Sequence, residues 1–410
     1  MVQFRQTTLA NGLRIAAEVM PDAYTAAFGY FVRTGARDET DPESGLSHFL
    51  EHMVFKGTAN RSALQVNQEL DELGGQSNAY TSEEQTVYYG TVLPKYQRRK
   101  LELLTDLMRP TLGDEDFETE RLVILEEIAK YEDQPPFGAF ERSMERRYGP
   151  SGLGRRVLGT KESIEAMTPE AMRAYFDKRY HPNNMVLAAA GNVDFEALVQ
   201  QATELTAAWP TSDAPQSLLY PAPSEPAGDD CGEDRDESET SLAYVIRHYH
   251  APSALDADRI AMRLLATILG DDGGSRLFWE LIDTGRAEAA ATWTQEFLDS
   301  GLMFLYLSCS REDVESNLRL IDQVFERVRE DGVGEQELQQ AINKTTAAAI
   351  MQSERPGNRL FSIGSNWLTK SEYVGLDEML DRYRAVNVQT LAKLLEKYDL
   401  RTITEVHSGE

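Results

Sequence analysis

The chain has 410 residues, with 41 Lys and Arg against 68 Asp and Glu, a net charge of −27 at neutral pH. A field of that sign repels nucleic acid and anionic membranes and favours basic ligands, although general solvation of the surface accounts for it too. Hydrophobic residues make up 41%, and at this length they suffice for two or more domains with sizeable cores.

No run of roughly eighteen apolar residues exists, so no membrane span is expected. Residues 1–12 lack the basic-then-apolar pattern of a signal peptide, which makes a cytoplasmic location the expectation. Cys231 and Cys309 form no C-x-x-C pair, so the sequence predicts one exposed and one buried free thiol.

In chain order, Asn11-Gly12 is a turn signal that introduces strands over residues 13–18 and 26–32. A helix is predicted over 42–55, with Asp41 as N-cap and Pro42 at its first position. Leu46, Phe49, Leu50, Met53 and Val54 form its apolar stripe, and Lys56-Gly57 ends it. Helices follow over 63–73 and 94–109, then an acidic helix over 114–133 that stops before Pro135-Pro136. Another helix is predicted over 169–176.

Residues 211–239 hold Pro215, Pro221, Pro223 and Pro226 and then an acidic run. Such a stretch cannot bury a core, so residues 212–239 read as a linker between domains at 1–211 and 240–410. Beyond it come a strand over 241–248 and helices over 256–268, 314–329 and 335–351. Each half therefore opens on strands and continues into helices, the pattern of a duplicated α+β unit.

The chemistry concentrates in the helix over 42–55. His48 and His52 are four apart, so a helix projects both imidazoles from one face, at the spacing two ligands of one zinc ion need. Glu51 lies between them in sequence and can lean toward an open coordination position to take a proton from water. This H-x-x-E-H order is the inverzincin pattern. A catalytic zinc wants a third protein ligand, and His181, His248, His250 and His407 stand singly or in strand-like contexts. The acidic helix over 114–133 offers carboxylates instead. Periodicity puts Glu120 and Glu127 on one face but leaves Glu126 and Glu127 both open as the ligand.

Several ordered segments carry a resemblance. They are Gly45-Leu-Ser-His-Phe-Leu-Glu-His-Met-Val-Phe-Lys-Gly-Thr58, Gly74-Gly-Gln-Ser-Asn-Ala-Tyr-Thr81, Glu120-Arg-Leu-Val-Ile-Leu-Glu-Glu-Ile128, Tyr180-His-Pro-Asn-Asn-Met185 and Leu269-Gly-Asp-Asp-Gly-Gly-Ser-Arg-Leu-Phe278. Together they resemble the pitrilysin and mitochondrial-processing-peptidase superfamily, which includes insulin-degrading enzymes. The resemblance implies two homologous α/β-roll domains, each a sheet with helices packed on one face, forming one half of a clam-like peptidase. It implies Zn2+ held by His48, His52 and Glu127, with Glu51 as the catalytic base and Glu120 supporting the ligands from behind. It also implies that Asn78 and Ala79 sit on an edge strand that pairs with peptide backbone.

The chain is similar to the short-chain members, in which a second homologous subunit closes a chamber around short or unfolded peptides. Active members usually carry an arginine and a tyrosine, seven apart, after the Ser-Arg-Leu segment. Here those places hold Ile282 and Ala289. A heterodimer in which a partner supplies the missing pair is therefore favoured, ahead of a homodimer that uses Arg286. The alternative is a non-catalytic or weakly active structural subunit of the same fold.

Overall fold

A computed structural model describes residues 2–132, 134–212 and 242–409. The expected linker, with Cys231, lies outside the described residues apart from Ser212. Cys309 is buried.

The first half runs through strands β1 (Gln3–Thr8), β2 (Arg14–Val19) and β3 (Ala26–Val32), helices α1 (Leu46–Val54) and α2 (Ala63–Leu73), and strands β4 (Gln76–Thr81) and β5 (Thr86–Val92). Helices α3 (Gln97–Leu107), α4 (Asp114–Glu132), α5 (Pro135–Tyr148), α6 (Lys161–Ala166) and α7 (Pro169–Arg179) follow, then β6 (Met185–Gly191) and α8 (Phe195–Thr206). The second half holds β7 (Leu242–His250), α9 (Arg259–Gly270), a π-helical turn at Phe278–Ile282, β8 (Ala289–Glu296) and β9 (Gly301–Ser310). It ends with α10 (Val314–Asp331), α11 (Glu335–Ser353), α12 (Pro356–Lys370), α13 (Leu376–Arg384), α14 (Val388–Lys397) and β10 (Thr402–Ser408).

The helix expected over 42–55 starts later than its cap signals indicate. Thr40, not Asp41, closes a capping box with Glu43 around a short 3-10 turn at Asp41–Glu43. The chain then turns at Gly45, whose φ of 89° is left-handed, and α1 begins at Leu46. A side chain at residue 45 would meet the Leu158 carbonyl oxygen at 2.6 Å, so glycine serves both the turn and the close approach. Asp41 instead pairs with Arg155 at 2.6 Å. Sequence reading also missed α5 and α12, which start at prolines that look like stop signals.

The chain divides into two compact units, Met1–Ala129 with Ser151–Leu218 and Met351–Val374, and Lys130–Pro150 with Leu219–Ile350 and Gly375–Glu410. In the first unit the sheet order is β1-β2-β6-β3-β5-β4, antiparallel except for the β2–β6 pair. One face packs Ile15, Phe28, Tyr30 and Leu187 against Phe49 and Leu50 of α1 and Leu101 and Leu104 of α3. The opposite face, with Ala16, Ala27, Phe31 and Val186, is covered by Leu360 and Ile363 of α12. Burial on both faces is why β6 reads Met-Val-Leu-Ala-Ala-Ala-Gly without alternation.

In the second unit the order is β10-β7-β9-β8. Val245, Tyr249, Leu305 and Leu307 pack with Leu264, Leu265, Ile321 and Phe325 on its helical side. Helix α5 packs on β7 and β10, with Phe140 stacked on Phe304 at 5.2 Å. The four strands β3 to β6 and the four strands β7 to β10 share one topology, and in each half a 19-residue helix is followed by a helix with proline at its start. Those two proline-led helices, α5 and α12, each pack within the unit built mostly from the other half of the chain.

Helix α12 is held to its sheet by a buried ion pair. Arg359 Nε donates to Glu18 Oε1 at 2.9 Å, its second nitrogen donates to Oε2, and Tyr373 Oη donates to Oε2 at 2.9 Å. Both charged side chains are only 4% exposed. Removing one partner strands the other charge in a dry site, so Arg359→Ala is expected to destabilise the chain by about 3–5 kcal/mol. Urea unfolding of the variant against the parent measures this, and a change under about 1 kcal/mol would contradict it.

Candidate metal centre

The site is built on α1, and the chain before it holds that helix in place. Glu39 is fully buried, and its carboxylate accepts the Gly45 N–H at 2.8 Å and the Ser47 N–H at 2.7 Å. It thereby satisfies two of the free donors at the start of the helix. Burial pushes its carboxyl up to about 8, against the pull of those donors and of Arg155. Behind it, the Tyr175 hydroxyl lies 2.8 Å from both Ser47 Oγ and Thr34 Oγ1.

Leu46, Phe49, Leu50, Met53 and Val54 turn into the core, as their spacing predicts, which leaves His48, Glu51 and His52 toward the opposite side. Phe49 stacks on Phe117 of α4 at 4.5 Å, which locks the second helix of the site against the first. Phe117, Glu120, Ile124 and Ile128 are the buried positions of α4. In this rotation Glu127 is half-buried and faces the two imidazoles, while Glu126 is exposed. The packing thus separates the two glutamates that periodicity could not.

Ligand atoms of His48, His52 and Glu127 all lie within 4.8 Å of one another, and this is the one such grouping among the described residues. Glu127 Oε2 is 3.8 Å from His48 Nε2 and 3.6 Å from His52 Nε2. A tetrahedral zinc bonded at about 2.1 Å spaces its donors about 3.4 Å apart, so both carboxylate–imidazole spacings lie within a few tenths of an ångström of a fit. Burial, with the neighbouring His52, pushes His48 down to about 3, which keeps its imidazole neutral with a lone pair to offer. Glu120 Oε2 stands 3.2 Å from His52 Nδ1, and Lys56 Nζ donates to Glu120 Oε1 at 2.5 Å. Glu120 accepts the Nδ1 proton in that arrangement, which leaves the Nε2 lone pair of His52 facing the site.

Glu51 lies beside this group. Burial raises the proton affinity of its carboxyl. Thr81, the last residue of β4, donates its hydroxyl to Glu51 Oε2 at 2.7 Å. Asn78 and Ala79 lie on β4 at the edge of the sheet, where the Ala79 N–H donates to Asn78 Oδ1 at 2.9 Å. Sequence reading missed Glu39, Lys56 and Thr81 as parts of the site. For Thr81 the signal was present, since period two puts it on the same side of the strand as buried Ala79.

In the second unit, Ile282 closes the π-helical turn and packs against that unit's core, and Ala289 opens β8. Neither side chain carries a hydrogen-bond donor. No helix among the described residues is long and apolar enough to cross a membrane.

The family model described as Insulinase (Peptidase family M16) matches residues 14–161, and the one described as Peptidase M16 inactive domain matches residues 166–345. A protein described as an uncharacterized zinc protease of Streptomyces coelicolor is 34% identical over 393 residues, 93% of this chain and 84% of that protein. One of the same description from Bacillus subtilis is 28% identical over 392 residues, 94% and 93% of the two chains. Among solved structures, a protease from Helicobacter pylori superposes over the full length of both chains with a TM-score of 0.91 at 20% identity. A putative M16-like peptidase from Alicyclobacillus acidocaldarius covers 99% of this chain and 97% of its own, with a TM-score of 0.85 at 22% identity. These structures share the fold, and with the sequence matches across both halves they identify the chain as a member of peptidase family M16.

Proposed function

We propose that the chain is the metal-carrying subunit of a zinc-dependent endopeptidase that hydrolyses short or unfolded peptides. The observation that carries this reading is the convergence of His48 Nε2, His52 Nε2 and Glu127 Oε2, with the Glu51 carboxyl beside them. Zinc held by these three groups supplies a Lewis acid that acidifies water and polarises a peptide carbonyl.

The chain's own residues do the rest. Glu51 takes the proton of the attacking water and delivers it to the leaving amine. A buried carboxyl of raised proton affinity suits both halves of that exchange. Glu120, paired with Lys56, holds the tautomer and direction of His52. The free edge of β4 takes an extended peptide as an added strand, and a substrate carbonyl replaces Asn78 Oδ1 as the partner of the Ala79 N–H. Main-chain pairing of this kind tolerates many side chains, which fits a peptidase of loose sequence preference.

Ile282 and Ala289 offer no donor to stabilise an oxyanion, a contribution of about 3–4 kcal/mol in other hydrolases. A second, homologous subunit supplies that part in this reading, as a heterodimer. The same two residues favour a second reading, a structural subunit without turnover, against which the complete His48, His52, Glu127 and Glu51 set stands.

Three measurements test these statements. Glu51→Gln is expected to keep its metal, by elemental analysis, while turnover of a quenched unfolded peptide falls by at least about a hundredfold; near-parental turnover removes Glu51 from the chemistry. Glu120→Ala is expected to weaken zinc affinity by about 10–100-fold in a chelator competition, since His52 loses its orienting acceptor. An unchanged affinity would show that Glu120 serves only the packing of α4. Turnover is further expected to rise by at least about tenfold when a paralogue carrying the arginine and tyrosine is added, and full activity of the chain alone defeats the partner assignment.

A further inference from the structure

Resting on the peptidase reading, we infer that Thr81 is a positioning residue that ties the proton-handling carboxylate to the peptide-holding strand. The hydroxyl of Thr81 donates to Glu51 Oε2 at 2.7 Å, and no other hydrogen bond to the Glu51 carboxylate occurs among the described residues. One oxygen of the carboxylate is thus engaged and the other is left to meet water. A glutamate carboxylate left to swing on its three side-chain torsions between α1 and solvent loses that aim, so the single donor decides which way Glu51 points.

The donor sits on a strand that is itself held. Ser77, Ala79 and Thr81 share one side of β4. At one end Lys100, fully buried on α3, donates to Ser77 Oγ at 2.5 Å. In the middle Ala79 is buried in the core shared with α1. At the other end Thr81 reaches Glu51. The strand is therefore pinned at three successive inward positions, while its outer edge offers backbone to a peptide. Pairing with β5 sets the register of β4, with Thr81 opposite Thr86, and the last residue of that register carries the hydroxyl that aims the base. One strand thus offers backbone to a peptide and also aims Glu51, so the base already points the required way when a peptide backbone lies alongside.

Thr81→Val keeps the β-branched shape that suits a strand and removes only the hydroxyl. Thr81→Ser keeps the hydroxyl and removes the methyl. Both are to be compared with the parent for zinc content and for steady-state cleavage of a quenched unfolded peptide, with the paralogue subunit added where the parent needs it. Thr81→Val is expected to hold zinc as the parent does, keep KM within about twofold and lose about tenfold in kcat, the value of one hydrogen bond to a charged group. Thr81→Ser is expected to recover kcat to within about threefold of the parent. An unchanged kcat in Thr81→Val, an equal loss in Thr81→Ser, or a loss that falls on KM instead overturns the assignment of Thr81 alone. A zinc-loaded parent that cleaves nothing, with or without the second subunit, overturns the peptidase reading and this inference with it.

Discussion

The pitch of a single short helix governs the site. At 3.6 residues per turn, His48 and His52 lie one above the other, and Glu51 falls just beside them. Their rings are 4.7 Å apart at 66°, which is close enough for both to reach one ion. Nothing in α1 itself holds this face at the right depth or angle. Glu39 secures the helix start through two backbone donors, and Gly45 allows the chain to enter without collision. On the opposite face, the Phe49–Phe117 stack brings α4 into a fixed rotation. Glu127 reaches the imidazoles only because that rotation is fixed.

Burial then sets the protonation states. His48 stays neutral because an imidazolium there would be poorly solvated and would face His52. Glu51 and Glu39 are pushed the other way by the same loss of water. Loss of water thus keeps an imidazole free of a proton and makes a carboxylate better able to hold one. Glu120 pairs with Lys56 in this setting, and its other oxygen stands within hydrogen-bond reach of His52 Nδ1.

The sheet supplies the rigid frame. Strand β4 lies at its edge, so its outer backbone is open on one side while its inward side chains are held by α1 and α3. The far face of that sheet is closed by α12, which comes from the second half of the chain. A cut near residue 211 leaves Arg359 on one side and its partner Glu18 on the other. The acidic, proline-rich stretch marks a change of composition, but the chain returns across it to finish the first unit.

Much of this was legible in the residues alone. The apolar spacing of Leu46, Phe49, Leu50, Met53 and Val54 placed His48 and His52 on the polar face of a helix, because helical period is a local property. Strand β3 and helix α2 could be read to the residue for the same reason. The helix start was misjudged by several residues, since Asp41 is drawn away by Arg155, a partner 114 positions distant. Tertiary packing decided that Glu127 and not Glu126 turns inward, that Thr81 meets Glu51, and that α5 and α12 pack outside the half of the chain they are encoded in. Each of these depends on which surfaces meet after the chain has folded back on itself, and no local periodicity carries that information. The sequence by itself determined which groups could do the chemistry; the packing of α1, α4 and β4 decided which of them stand together.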